Sequence, residues 1–193
     1  LIKAVQSANF SYGKDIFISL DCAASEFFDG KNYILNATDE TFSSDGLIDY
    51  YVKLIKKFDI KSIEDPLHED DWDGWIKLTR ELNGVQIVGD DIFVTQRELL
   101  KKGIDSHAGN AILIKPNQVG TLTESLESIQ FAKENEFNTI ISHRSGETED
   151  SFIADLAVGV DAKQIKTGAP SRSDRNSKYN RLLIIENELY PKK

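Results

Sequence analysis

Methionine is absent from these 193 residues, and cysteine occurs once, at Cys22. A lone thiol closes no internal disulfide, so nothing in the sequence points to an oxidising compartment. Long apolar runs are missing too. The longest, such as 111–114 and 138–141, fall far short of a bilayer's thickness, and no charged-then-apolar leader opens the chain. Because the chain opens on Leu1 and carries no methionine, a preceding N-terminal segment is expected in the natural protein. Positive charge is in deficit, with 23 basic against 32 acidic residues and a net charge of −9. That balance argues against nucleic acid as a partner, since a phosphate backbone calls for a basic surface. It leaves room for a small anionic substrate held by a local cluster of lysine and arginine.

What is present suits one globular domain, with 40% hydrophobic and 28% charged residues. Six short apolar runs read as buried strands, at 15–21, 61–64, 85–90, 111–115, 139–143 and 164–167. Helical patterns lie between them. Leu47, Ile48, Tyr51, Leu54, Ile55 and Phe58 share one face, as do Trp72, Trp75, Ile76, Thr79 and Leu82, with Gly84 as a terminator. Thr95 with Glu98, and Thr121 with Glu124, match the capping-box pattern. Further helices are predicted over 148–159 and 173–188, and a small hairpin over 27–33. Strands alternating with helices and buried on both faces imply a parallel sheet. No glycine-rich phosphate fingerprint follows any strand, which favours a barrel over an open sheet.

The residues that close the six strands are Asp21, Glu64, Asp90, Lys115, His143 and Lys166. After a first step of 43 residues, which includes the inserted hairpin, they are spaced by 26, 25, 28 and 23 residues. Each later step is the length of one strand–helix unit, and parallel barrels draw functional groups from the C-terminal ends of several strands. Three carboxylates on neighbouring strand ends repel one another unless a cation sits among them, and oxygen ligands suit Mg²⁺. A lysine near cations and partly desolvated has the depressed pKa that a general base needs. His143-Arg144-Ser145-Gly146 adds a guanidinium fork, a hydroxyl and a permissive glycine, a set suited to phosphate. Together these groups point to proton abstraction beside a carboxylate on a phosphorylated substrate.

Plainer readings attach to the remaining polar residues. His68-Glu69-Asp70-Asp71 reads as a polar loop before a helix, His107 as a loop residue, and Trp72 and Trp75 as packing residues. Ser171-Arg172-Ser173-Asp174-Arg175 reads as a helix start.

Several stretches resemble enolase signatures in order and spacing. They are Leu20-Asp21-Cys22-Ala23-Ala24-Ser25-Glu26-Phe27, Ser62-Ile63-Glu64-Asp65-Pro66, Val88-Gly89-Asp90-Asp91, Ile114-Lys115-Pro116-Asn117-Gln118, Ser142 to Asp150 (SHRSGETED) and Gln164-Ile165-Lys166-Thr167-Gly168. The resemblance covers nearly the whole chain. It implies an α/β fold, an incomplete TIM-type barrel with six strand–helix units of an eight-stranded enolase barrel, over residues 1–193. The implied activity is the reversible dehydration of 2-phosphoglycerate to phosphoenolpyruvate, with two Mg²⁺ per complete active site.

By the same resemblance, Asp21, Glu64 and Asp90 are the ligands of the tightly held Mg²⁺, and Lys115 is the base that takes the proton from carbon 2. Lys166 stabilises the substrate carboxylate, while His143, Arg144 and Ser145 contact the substrate, the last two at its phosphate. Lysine with Mg²⁺ is the established pattern of that superfamily.

Enolases carry an N-terminal domain and two barrel strands ahead of the segment seen here. The general-acid glutamate and a mobile loop belong to that part, so this chain alone is expected to be inactive as a dehydratase. A homodimer is implied for the intact protein, although Ile184 stands where an interface arginine is usual. A cytoplasmic location is implied, with the cell surface or secretion as a further one. The alternatives are plasminogen binding through the C-terminal Lys192-Lys193 and another acid dehydratase of the superfamily.

Overall fold

Short runs rich in Ile, Val and Leu form the strands, and most of the helices between them bury one apolar face. A computed structural model of the chain describes residues 1–191, so Lys192 and Lys193 lie outside the described residues. In order come α1 (Ile2–Ser7), β1 (Ser19–Asp21), a 3-10 turn (Ala24–Phe27), β2 (Tyr33–Leu35), β3 (Glu40–Phe42), α2 (Ser44–Phe58) and β4 (Ser62–Glu64). Then follow α3 (Trp72–Glu81), β5 (Gln86–Gly89), α4 (Arg97–Ser106), β6 (Ala111–Ile114), α5 (Pro116–Val119) and α6 (Leu122–Glu134). The chain finishes with β7 (Asn138–Ser142), α7 (Phe152–Gly159), β8 (Gln164–Lys166) and α8 (Ser173–Leu189). No helix among the described residues is long and apolar enough to cross a membrane.

Two compact units divide the chain where the sequence indicated no boundary. The first comprises Leu1–Ile92 with Gly103–Asn110; the second comprises Phe93–Lys102 and the chain from Ala111 onward. In the first unit β1 pairs with β4 and β4 with β5, all parallel. Ile63, Trp75, Leu78 and Ile87 are fully buried around them. In the second unit β6 pairs with β7 and β7 with β8, again parallel. All four residues of β6 are buried, as expected for a strand covered on both faces.

The predicted strands are all present, within a few residues at their ends. The small hairpin over 27–33 is present as an antiparallel bridge between Phe28 and Tyr33, turned by Asp29, which accepts from Lys31 N at 2.8 Å and Asn32 N at 2.7 Å; a second antiparallel pair, β2 with β3, follows it. The helix predicted from residue 148 begins at Phe152, because Thr148 and Asp150 turn their side chains onto the backbone N–H groups of Asp150 and Phe152. Thr121 caps α6 through Glu124 N at 3.2 Å, as the capping box predicts. The Thr95 hydroxyl instead accepts the N–H of Lys115 at 2.9 Å and donates to Gln118 Oε1 at 2.7 Å.

The polar run before α3 is structural. Asp71 accepts from Gly74 N at 3.0 Å, Ser44 Oγ at 2.5 Å and Tyr33 Oη at 3.3 Å, tying the helix start to β2 and α2. His68 Nδ1 accepts from Asp70 N at 3.1 Å, and Trp75 Nε1 donates to the His68 carbonyl. Losing a helix cap that also satisfies two hydroxyls costs ~1–3 kcal/mol. Asp71→Ala is therefore expected to lower stability by about that much in urea unfolding, whereas Asp70→Ala, at a position 88% exposed in its side chain, shows little change.

Candidate active site

Parallel pairing sets the strand ends level. In the first unit Asp21 stands directly opposite Glu64, and Glu64 opposite Val88. Asp90 follows Val88 by two residues, the period that returns a side chain to the same face. The ladder continues past the strands, with Cys22 N donating to the Glu64 carbonyl and Asp65 N to the Val88 carbonyl. Glu64 and Asp90 are buried, at 5% and 8% exposure, while Asp21 is exposed. Cys22 lies against Tyr51, and burial pushes its thiol up to about 12, which leaves it protonated and unreactive.

Asp65 was not among the predicted ligands. Its backbone is left-handed, at φ 42°, a conformation that Asp tolerates better than most residues. That turn carries its carboxylate to the N–H groups of Asp90 and Asp91, both at 2.9 Å. One oxygen from each of Asp65, Asp90 and Asp91 lies within 4.8 Å of the others, and no other such acidic or His/Cys group occurs among the described residues. Burial pushes the Asp65 carboxyl up to about 8; the two backbone donors oppose the rise, and the Asp90 and Asp91 charges add to it. A carboxyl that keeps its proton mainly through burial, beside two further carboxylates, is a place where a hard cation would be accommodated.

In the second unit Ile114 pairs with Ile141 and Ser142 with Lys166, so Lys115, one residue past Ile114, falls level with Ser142 and Lys166. Lys115 is half-buried, and its backbone is fixed by Thr95, which is fully buried. Val94 and Thr95 both take left-handed conformations, at φ 40° and 60°. These are strained for β-branched residues, and such strain gathers at functional sites.

The loop after β7 is held from several sides. Arg144 NH1 donates to Asn117 Oδ1 at 3.2 Å, and Glu147 accepts from Thr148 N at 2.9 Å. Lys178, fully buried on α8, donates to the Thr148 carbonyl at 2.5 Å and the Asp174 carbonyl at 2.7 Å. Arg175 donates to the Arg144 carbonyl at 2.8 Å and the Ser145 carbonyl at 3.0 Å. Burial pushes the His143 imidazole below its ordinary value of 6.5; Arg175, Lys166 and Lys115 act the same way, against Glu147. Lys115 and Lys166, with Arg175, thus lie near enough to His143 to disfavour its charged form.

A family model described as enolase, C-terminal TIM barrel domain, matches residues 1–192. The chain belongs to this enolase family. Its strand–helix alternation is that of an α/β TIM-type barrel, carried here by six parallel strands in place of the eight of a closed one. The enolase resemblance singles out Asp21, Glu64, Asp90, Lys115, His143, Arg144, Ser145 and Lys166. To these the structure adds Asp65, which holds the Asp90 backbone, Thr95, which holds that of Lys115, and Arg175, which holds His143, Arg144 and Ser145.

Three outcomes are expected. Because folded Asp65 keeps its proton where the unfolded chain loses it, the metal-free enolase chain should lose stability as pH rises from 3.8 towards about 8. Mg²⁺ binding near neutral pH should release a proton, seen as a buffer-dependent heat in titration calorimetry and abolished in Asp65→Asn. Thr95→Val keeps the branched shape but removes the hydroxyl beneath Lys115, and should cost ~1–3 kcal/mol in urea unfolding.

Proposed function

We propose that this chain is the barrel part of a glycolytic enolase, a carbon–oxygen lyase that interconverts 2-phosphoglycerate and phosphoenolpyruvate. The observation that carries the reading is the second unit's set of groups. Lys115 and Lys166 stand level on their strands, beside an Arg144-Ser145 loop braced by Arg175 and Lys178. The family resemblance assigns Asp21, Glu64 and Asp90 to Mg²⁺, whose hard charge suits carboxylates; of the three, Asp90 belongs to the close carboxylate group, with Asp65 and Asp91, and Asp21 and Glu64 do not. When bound, Mg²⁺ supplies positive charge against the substrate carboxylate.

The remaining roles belong to side chains. Lys115 takes the proton from carbon 2 through Nζ. The electron pair left behind moves into the carboxylate, which gains a second negative charge, and Lys166 holds that charge as an ammonium. Arg144 and Ser145 bind the phosphate, where a planar guanidinium offers two parallel donors. His143 offers a ring N–H to an anionic oxygen without adding charge. Departure of hydroxide from carbon 3 needs an acid, and none is assigned within this chain. Net dehydration by the chain alone is therefore not expected, while the proton-abstraction step is.

The test separates those steps. With Mg²⁺ and 2-phosphoglycerate in deuterated water, loss of the carbon-2 proton is followed by proton NMR, and phosphoenolpyruvate by ultraviolet absorbance. Exchange without phosphoenolpyruvate is expected, falling at least ~100-fold in Lys115→Ala. Exchange that survives Lys115→Ala, or ligand binding indifferent to Arg144→Ala, would overturn the assignment.

A further inference from the structure

Arg175 belongs to no role in the proposed chemistry, yet it is buried, at 8% exposure, and converges on the loop that carries the phosphate-binding residues. Its NH1 lies 2.6 Å from His143 Nδ1 and 2.8 Å from the Arg144 carbonyl, and its NH2 lies 3.0 Å from the Ser145 carbonyl. Its Nε faces Asp174 at 3.4 Å, which balances the charge. Gly168 completes the seat. At φ +89°, an added Cβ there would stand 2.8 Å from Arg175 Cδ and 3.1 Å from His143 Cε1. Tyr179 Oη donates to the Gly168 carbonyl and holds that backbone in place. Arg175 stem, imidazole and glycine backbone are therefore packed against one another.

We propose that Arg175 is a positioning residue that fixes His143 in the tautomer with a bare Nδ1 and a protonated Nε2, while tying down the carbonyls of the phosphate-binding loop. The reason is the donor inventory. A guanidinium carries only donors and stays charged at any working pH. An imidazole nitrogen 2.6 Å away must then present a lone pair, because a second N–H there would set donor against donor. With Nδ1 an acceptor, the one proton of the neutral ring sits on Nε2. His143 is thereby a fixed, uncharged hydrogen-bond donor rather than a proton carrier. The charged groups acting on it are Arg175 on α8, Lys166 on β8, Lys115 after β6 and Glu147 in its own loop. Its use towards substrate rests on the enolase reading; the tautomer itself does not.

Long-range proton–nitrogen spectra of the ¹⁵N-labelled chain, taken near pH 7.5 and above the ordinary imidazole pKa of ~6.5, decide the point. Wild type is expected to show His143 as a single tautomer, with Nδ1 bare and Nε2 protonated. Arg175→Met should mix the two tautomers and raise the titration midpoint towards the ordinary value. Arg175→Lys, which keeps a donor, should restore the wild-type form in part. His68 and His107, in the first unit, serve as references that should not move.

A protonated Nδ1 in wild type, or an Arg175→Met spectrum with His143 unchanged, overturns the proposal. Should Arg175→Met fail to fold, the wild-type tautomer and Arg175→Lys still decide. Wild-type spectra as expected in a chain that neither binds 2-phosphoglycerate nor exchanges its carbon-2 proton would keep the role of Arg175 and remove the enolase reading.

Discussion

Parallel pairing in register is the constraint on which the candidate site depends. It sets Asp21 against Glu64 in one unit and Ser142 against Lys166 in the other, so that charged residues finish neighbouring strands at one height. Strands of three to five residues leave little apolar length to spare. A slip of one residue would exchange side chains between the two faces of the sheet and move the charged ends off their common level, so packing and register enforce each other. Functional groups can therefore sit directly at the strand ends, where the apolar run stops and the loop begins.

Charge of one sign brought together in this way has to be stabilised locally. The first unit does so with hydrogen bonds and a retained proton: Asp65 takes the N–H groups of Asp90 and Asp91, and burial raises its carboxyl to about 8. The second unit gathers cations and arranges backbone carbonyls around them. Lys178 and Arg175 are buried, yet each donates to carbonyls of the 144–148 loop, and acidic groups stand near both. A buried charge with its donors engaged is tolerable; stripped of one partner it becomes costly. That is why α8, which reads in sequence as a polar helix of little pattern, supports so much of the neighbouring loop.

Local propensity gives way to these demands at identifiable places. Thr95 has the spacing of a capping box with Glu98, but its hydroxyl serves the Lys115 backbone. Both it and Val94 accept left-handed conformations that branched side chains disfavour. Asp65 bends the same way ahead of Pro66. Gly168 is required because Arg175 and His143 fill the space a side chain would need. Each departure lies beside a residue assigned to chemistry, where strain is held by surrounding packing.

The strand-closing residues, their unit-length spacing, the parallel α/β class and the family signatures were all legible in the sequence. Burial dictates where apolar runs fall, and the chain has to end each run with whatever the loop begins on. Capping at Thr121 was legible for the same reason: its partners lie within one helical turn. The helpers were not. Asp65 reaches across to Asp90 and Asp91, Thr95 to Lys115, and Arg175 to His143 over 32 residues. Such contacts follow from which elements pack together, and no local pattern encodes them. The start of α7 moved, and a second antiparallel pair was added after the 27–33 hairpin, for a related reason. Asp29, Thr148 and Asp150 can turn their side chains onto nearby backbone, and only the packed chain decides whether a turn, a strand or a helix takes those N–H groups.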